Sequence, residues 1–255
     1  MAPAAIAAIL YLPALWLALL AAAVMLLGLW EWLRLAGCQR TFPRLGWILI
    51  TAIIAILCLL HKPQATPWLY YANTMGVVIW VGACIWLRYP RWGHHGLFLI
   101  TGVAIVLSAW SSLLLIDHHQ QGERWLLFAL ALVWAADSGA YFVGRRFGRT
   151  PLAQTISPNK TLEGALGGIV AGLIAAVVFG WFAGATPAQW ARLLVAALMT
   201  IAASILGDLF ESVLKRQAGM KDSGHLIPGH GGVLDRIDGV LAALPFFAFC
   251  QNLFL

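Results

Sequence analysis

"KRQAGMKDSGHLIPGHGGVLDRID", Lys215 to Asp238, packs seven charged residues and two histidines into a chain that is 62% hydrophobic and 10% charged. Apolar runs flank it, at about 190–214 and 233–254. Those flanks decide the fold. Each is close to the ~20 residues a helix needs to cross a ~30 Å hydrocarbon core. The charged stretch therefore reads as a loop between two membrane helices, and its charge runs on into the second of them as Asp235, Arg236 and Asp238.

The same kind of run recurs upstream at 14–36, 46–60, 67–87, 97–116, 124–144 and 163–185, which makes eight expected spans in all. The mean hydropathy is +0.85, and the apolar fraction exceeds the ~45–50% of soluble domains. In lipid the backbone must satisfy its own hydrogen bonds. The expected fold is thus all-α, a polytopic integral membrane helical bundle. Residues 1–12 form an apolar stub, too short to span, that ends at Pro13. The 46–60 run is short and would tilt little or thin the bilayer. No repeat or low-complexity linker divides the chain. Residues 1–255 read as one integral membrane domain, with N-terminal helices in 1–125 and catalytic helices and loops in 126–255. The N-terminus lacks the basic segment and cleavage site of a removed signal peptide. Cys38, Cys58, Cys84 and Cys250 form no CxxC pair and read as packing residues, neither disulfides nor metal ligands.

The net charge is +6. Basic loops orient membrane helices, so this charge gives no reason to expect nucleic acid. The odd-numbered loops hold Arg34, Arg40, Arg44, Arg88, Arg91, Arg145, Arg146, Arg149, Lys160, Lys215, Arg216, Lys221 and Arg236. The even-numbered loops hold Lys62, Arg124 and Arg192. The asymmetry predicts that the odd loops are cytoplasmic.

Seven of the ten acidic residues follow position 130: Asp137, Glu163, Asp208, Glu211, Asp222, Asp235 and Asp238. Carboxylates inside a span cost a few kcal/mol each on insertion scales and default to a functional hypothesis. At ~1.5 Å per residue, Asp137 lies ~12 Å before Arg145 and Asp208 ~10 Å before Lys215. Asp235 and Asp238 open the last span from the same side. Three helices thus bring carboxylates to one shallow layer. Asp208, Glu211 and Lys215 share a helix face, as do Asp235 and Asp238. Converging oxygens suit a hard cation such as Mg²⁺. The alternative is charge pairing with Lys215, Arg216 or Arg236 and no metal; acids from three helices at one depth, however, repel without a cation.

The neighbouring loops add weaker signals. Glycines in "PGHGG" (228–232) let backbone N–H groups converge on an anion, though such a segment is more often only a turn. In "SPNKTLEG" (157–164), Ser157 and Pro158 fit a helix N-cap and first turn, which leaves Lys160 near a helix N-terminus. Small residues in "ADSGAY" (136–141) allow close helix packing or ligand approach. "GHHG" (93–96) and "DHHQQGE" (117–123) look metal-like, but the expected topology puts them on opposite sides of the membrane, where they read as interfacial loops.

The pattern S-x-x-K-R-x-x-x-x-K-D-S-x-x-x-x-P-x-H-G-G-x-x-D-R-x-D, read from Ser212 to Asp238, resembles the signature of the phosphatidate cytidylyltransferase (CDP-diacylglycerol synthase) family. "ADSGAY", "SPNKTLEG" and "GDLFES" (207–212) resemble that family's other blocks, in order. The resemblance covers about residues 25–250 and is strongest after 130. It implies an integral membrane enzyme that joins CTP and phosphatidic acid into CDP-diacylglycerol with release of pyrophosphate, using Mg²⁺. Carried across, it implies metal ligation by Asp208 and Asp235, with Asp238 and Asp137 as close candidates.

On this reading one or two Mg²⁺ ions, with room for a second, monovalent cation, bridge the CTP phosphates. Lys215, Lys221, Lys160 and Arg216 neutralise the triphosphate or the lipid phosphate. The backbone of His230, Gly231 and Gly232 cradles phosphate, His230 donates a hydrogen bond, and Ser157, Glu163, Asp222 and Arg236 complete the substrate contacts. The expected partners are the two substrates and membrane lipids, with a homodimer allowed. The expected location is a bacterial inner membrane, with the site near its cytoplasmic face. Two rivals stand beside this: a related CTP-dependent enzyme acting on an isoprenoid alcohol or an archaeal ether lipid, and a cation or proton transporter. Against the transporter, the acids cluster near one face and form no relay through the span centres.

Overall fold

The computed structural model describes residues 2–60, 66–88, 95–154, 156–224 and 231–254. Among them are nine helices: α1 (Ala2–Tyr11), α2 (Ala14–Leu35), α3 (Thr41–Leu60), α4 (Thr66–Leu87), α5 (His95–His118), α6 (Gly122–Phe147), α7 (Leu162–Phe182), α8 (Pro187–Gln217) and α9 (Leu234–Phe254). Seven, α2 through α8, are long and apolar enough to cross a membrane. The short α1 is the expected stub, and α9 lies where the eighth span was expected but is not among these seven. The protein is an all-α integral membrane protein.

Two sequence expectations are corrected. The second span begins at Thr41 rather than 46, so α3 has 20 residues and is not short. Pro43 lies in its first turn, where a proline costs no helical hydrogen bond. Arg44, which made this segment look like a loop, donates to Gln39 O at 3.1 Å and lies 4.3 Å over the Trp30 ring. The second correction is a small antiparallel hairpin, β1 (Pro151–Ala153) with β2 (Ser157–Thr161). Ser157 is therefore in a strand and is not a helix N-cap. The cap of α7 is Thr161, whose hydroxyl accepts from Gly164 N at 3.1 Å. The helix starts four residues later than the Ser-Pro signal suggested because Thr161 is followed directly by the apolar face of α7.

That helix is patterned for lipid. Gly164, Gly168, Gly172, Ala176 and Gly180 form a buried stripe at intervals of four, while Leu166, Val170, Ile174 and Trp181 face outward. Small residues let helix backbones approach where apolar surface alone gives no drive to associate. A Cβ on Gly168 would stand 2.7 Å from Ala136 O of α6, so these two helices touch backbone to backbone.

The other half of the bundle is held by aromatic rings and polar ties. Phe210 of α8 stacks on Trp32 of α2 at 5.7 Å and also meets Trp80, Trp86 and Phe98. Pro245 sits inside α9, where its missing N–H would leave the Leu241 carbonyl without its helical donor. Trp80 Nε1 donates to that carbonyl at 3.2 Å, and Asn73 Nδ2 donates to Pro245 O at 2.9 Å. Polar groups in a dry bundle need such partners. Together these contacts fix the rotation of α8 and α9, and so fix which of their residues face each other at the acidic end.

Candidate active site

The site forms where α8 and α9 cross. A Cβ on Gly207 would collide with Asp238 O, and one on Gly239 would lie 2.6 Å from Ser204 Oγ. With glycine at both positions the backbones come close, and the acids beside them converge. One carboxylate oxygen from each of Asp208, Glu211 and Asp238 lies within 4.8 Å of the other two. Glu211 is buried, and its Oε1 has no hydrogen-bond partner among the described residues. Three oxygen donors with an orphaned buried lone pair match a hard divalent cation.

Two lysines border the cluster. Lys160, delivered by β2, pairs with Asp208 Oδ1 at 2.5 Å and lies 3.5 Å from Ser212 Oγ. Lys215 bridges Glu211 Oε2 at 2.6 Å and Asp235 Oδ1 at 2.7 Å. Asp137 of α6 is within electrostatic reach of Asp208 and Lys160. Five carboxylates thus meet two ammonium groups, so the pocket has a formal deficit of positive charge.

Asp235 differs from its neighbours. Its Oδ1 holds Lys215, while its Oδ2 accepts from Ser223 N at 2.9 Å, Ser223 Oγ at 2.9 Å and Gly232 N at 2.8 Å. The carboxylate that the resemblance offers as a metal ligand is here saturated by protein donors. The Gly232 N–H, expected to cradle phosphate, is spent on it. Gly231 has φ +83°, a region glycine enters without strain.

The remaining expected residues spread around this core. Glu163 turns outward and accepts from Arg149 N and from the Thr150 amide and hydroxyl, tying the hairpin to α7. Arg216 Nε donates to Ile156 O at 3.2 Å, which docks the hairpin on α8. Lys221 and Asp222 stand exposed at the start of the loop, and Arg236 is exposed on the first turn of α9. His230 lies outside the described residues. His119, set aside as interfacial, pairs with Asn252 Oδ1 at 3.1 Å.

Two participants were missed in the sequence. Glu211 had been seen on the right helix face but was given no ligand role. Glu31, on α2 and 192 residues from its partner Ser223, gave no local signal beyond being an acid inside an apolar run.

Comparison with known proteins shows the family. The model of the cytidylyltransferase family matches residues 1–254. A phosphatidate cytidylyltransferase of Pseudomonas aeruginosa is 38% identical, covering 96% of this chain and 91% of that protein. One from Haemophilus influenzae is 36% identical over 91% of this chain and 88% of its own length. One from Bacillus subtilis is 46% identical over about half of each chain, 53% and 50%.

Proposed function

The chain belongs to the cytidylyltransferase family, and from that premise we propose that it is a membrane nucleotidyltransferase that transfers CMP from CTP to phosphatidic acid. A phosphate oxygen of the lipid attacks the α-phosphorus of CTP. The bond from that phosphorus to the oxygen bridging to the β-phosphate breaks, pyrophosphate leaves, and CDP-diacylglycerol remains. The observation that carries the reading is the carboxylate cluster of Asp208, Glu211 and Asp238, bordered by Lys160 and Lys215.

The lipid phosphate monoester has a second pKa near 6 and is already largely ionised at neutral pH. The attack therefore needs no protein base, and His230 has no proton to remove. The difficulty is electrostatic, since two anions must meet and a third must depart. Asp208, Glu211 and Asp238 would hold Mg²⁺, with Asp137 beside them. Bound there, the ion supplies positive charge to the triphosphate and to the departing pyrophosphate. Lys160, Lys215, Lys221 and Arg216 add fixed cations around the same space. Asp235 orients Lys215 and the backbone amides of Ser223 and Gly232. We place the site at the cytoplasmic face of a bacterial inner membrane, because the basic loops gather at that end and CTP is a cytoplasmic nucleotide.

The test is purified protein in detergent with phosphatidic acid, Mg²⁺ and CTP labelled either at the α- or at the γ-phosphate. Label from the α position should enter the lipid, and label from the γ position should not. Transfer of the γ label would make the enzyme a lipid kinase and overturn the reading.

A further inference from the structure

Glu31, the single acid of α2, is 2% exposed and belongs to none of the sequence blocks that point to the site. Its Oε2 accepts from Leu234 N at 2.8 Å and lies within hydrogen-bond distance, 2.9 Å, of Ser223 Oγ. Those two groups lie on opposite sides of the loop that separates α8 from α9. Three residues away on the same helix, Arg34 Nη2 donates to Ser223 O at 2.5 Å. Helix α2 therefore grips both ends of the loop.

Gly224 and Gly232 are shaped around this carboxylate. The three atoms nearest to a Cβ added at Gly224 would all be Glu31's: Oε1, then Cδ at 2.6 Å and Cγ at 3.2 Å. A Cβ at Gly232 would run into Ser223 Oγ and Glu31 Oε2. The Glu31 carboxylate thus occupies a slot that exists because positions 224 and 232 lack side chains. Ser223 Oγ also lies 2.9 Å from Asp235 Oδ2. The hydroxyl has one proton and serves one carboxylate at a time, so it links Glu31 to Asp235 directly. Asp235 in turn holds Lys215 at 2.7 Å.

We propose that Glu31 is a positioning residue for the transfer reaction, a strut from the N-terminal half of the chain that ties Ser223 to Leu234 and sets the orientation of Asp235 and Lys215. It touches no reacting atom. This role assigns Gly224 and Gly232 a function other than phosphate binding, namely making room for the strut. The catalytic part rests on the function proposed above; the strut itself does not.

The experiment uses hydrogen–deuterium exchange on the full-length protein in detergent, together with steady-state kinetics. Glu31→Ala should speed exchange of the 223, 232 and 234 amides by about tenfold or more, leave α6 and α7 unchanged, and lower kcat/KM by about ten- to a hundredfold, as expected for loss of charge-assisted hydrogen bonds. Glu31→Gln keeps an acceptor oxygen of the same shape and should recover most of both. Gly224→Ala should act like Glu31→Ala. Combining the two should add little, because the added methyl collides with Glu31 alone. Unchanged exchange in Glu31→Ala, or fully additive effects in the double variant, would overturn the strut. Faster exchange with unchanged kcat/KM would reduce Glu31 to a structural residue. Faster exchange in a protein whose wild type makes no CDP-diacylglycerol would uphold the strut and overturn the proposed function.

Discussion

Asp235 and Asp238 stand one turn apart at the start of α9, yet their surroundings are opposite. Asp235 is met by an ammonium group, two backbone amides and a hydroxyl. Asp238 faces Asp208 and Glu211, two more acids. The first carboxylate has the environment of a structural anchor, whose negative charge is already matched. The second sits where like charges crowd without enough protein donors, an arrangement that favours a cation. Two aspartates of one motif can therefore divide the work: one builds the loop, the other builds the ion site.

The largest expected effects lie on the Asp238 side. Asp208→Asn and Asp238→Asn should each lower kcat/KM by about a thousandfold or more, since metal charge is worth several kcal/mol to the transition state. Expression and melting temperature should stay near wild type. Activity close to wild type at limiting Mg²⁺ in either variant would break the comparison.

Asp235→Asn should fail differently. It removes one of the two carboxylates that hold Lys215, whose side chain is only 15% exposed, and leaves Glu211 as the other. Losing one partner of a buried pair costs about 3 kcal/mol or more, so the loss should appear as reduced thermal stability in detergent along with reduced activity. A paired change, Asp235→Asn with Lys215→Met, should be less stable than the single variant, because it also takes the ammonium partner from buried Glu211. If Asp235→Asn is inactive but fully stable, Asp235 belongs with the ion site instead.

Ser223→Ala should be milder. It removes one hydroxyl between two carboxylates and leaves the Ser223 amide in place, a loss of about 1.5 kcal/mol that lowers kcat/KM by roughly tenfold. Smallest of all is His119→Ala, expected within about twofold of wild type, because its contact is a single exposed hydrogen bond to Asn252.

Much of this was legible in the sequence. Eight apolar runs announced the bundle, and the acids after position 130 announced the charged end. What the sequence hid depends on rotation and distance. Glu211 and Asp235 look equally suited as ligands on a helical wheel. Only the close approach at Gly207 and Gly239 turns Glu211 toward Asp238, and only Lys215 and the loop amides saturate Asp235. The hairpin escaped because Ser157–Pro158 imitates a helix start. Glu31 escaped because its partners are about two hundred residues away.

The division between the two aspartates can be tested without turnover. Mn²⁺ is a paramagnetic substitute for Mg²⁺ at oxygen sites, and its binding to the purified protein can be followed by electron paramagnetic resonance in the absence of substrates. The account predicts a bound ion in the wild type and in Ser223→Ala, and loss of that ion in Asp208→Asn, Glu211→Gln and Asp238→Asn. Retention of the ion in Asp238→Asn, with its loss in a stably folded Asp235→Asn, would contradict the account and exchange the roles of the two residues.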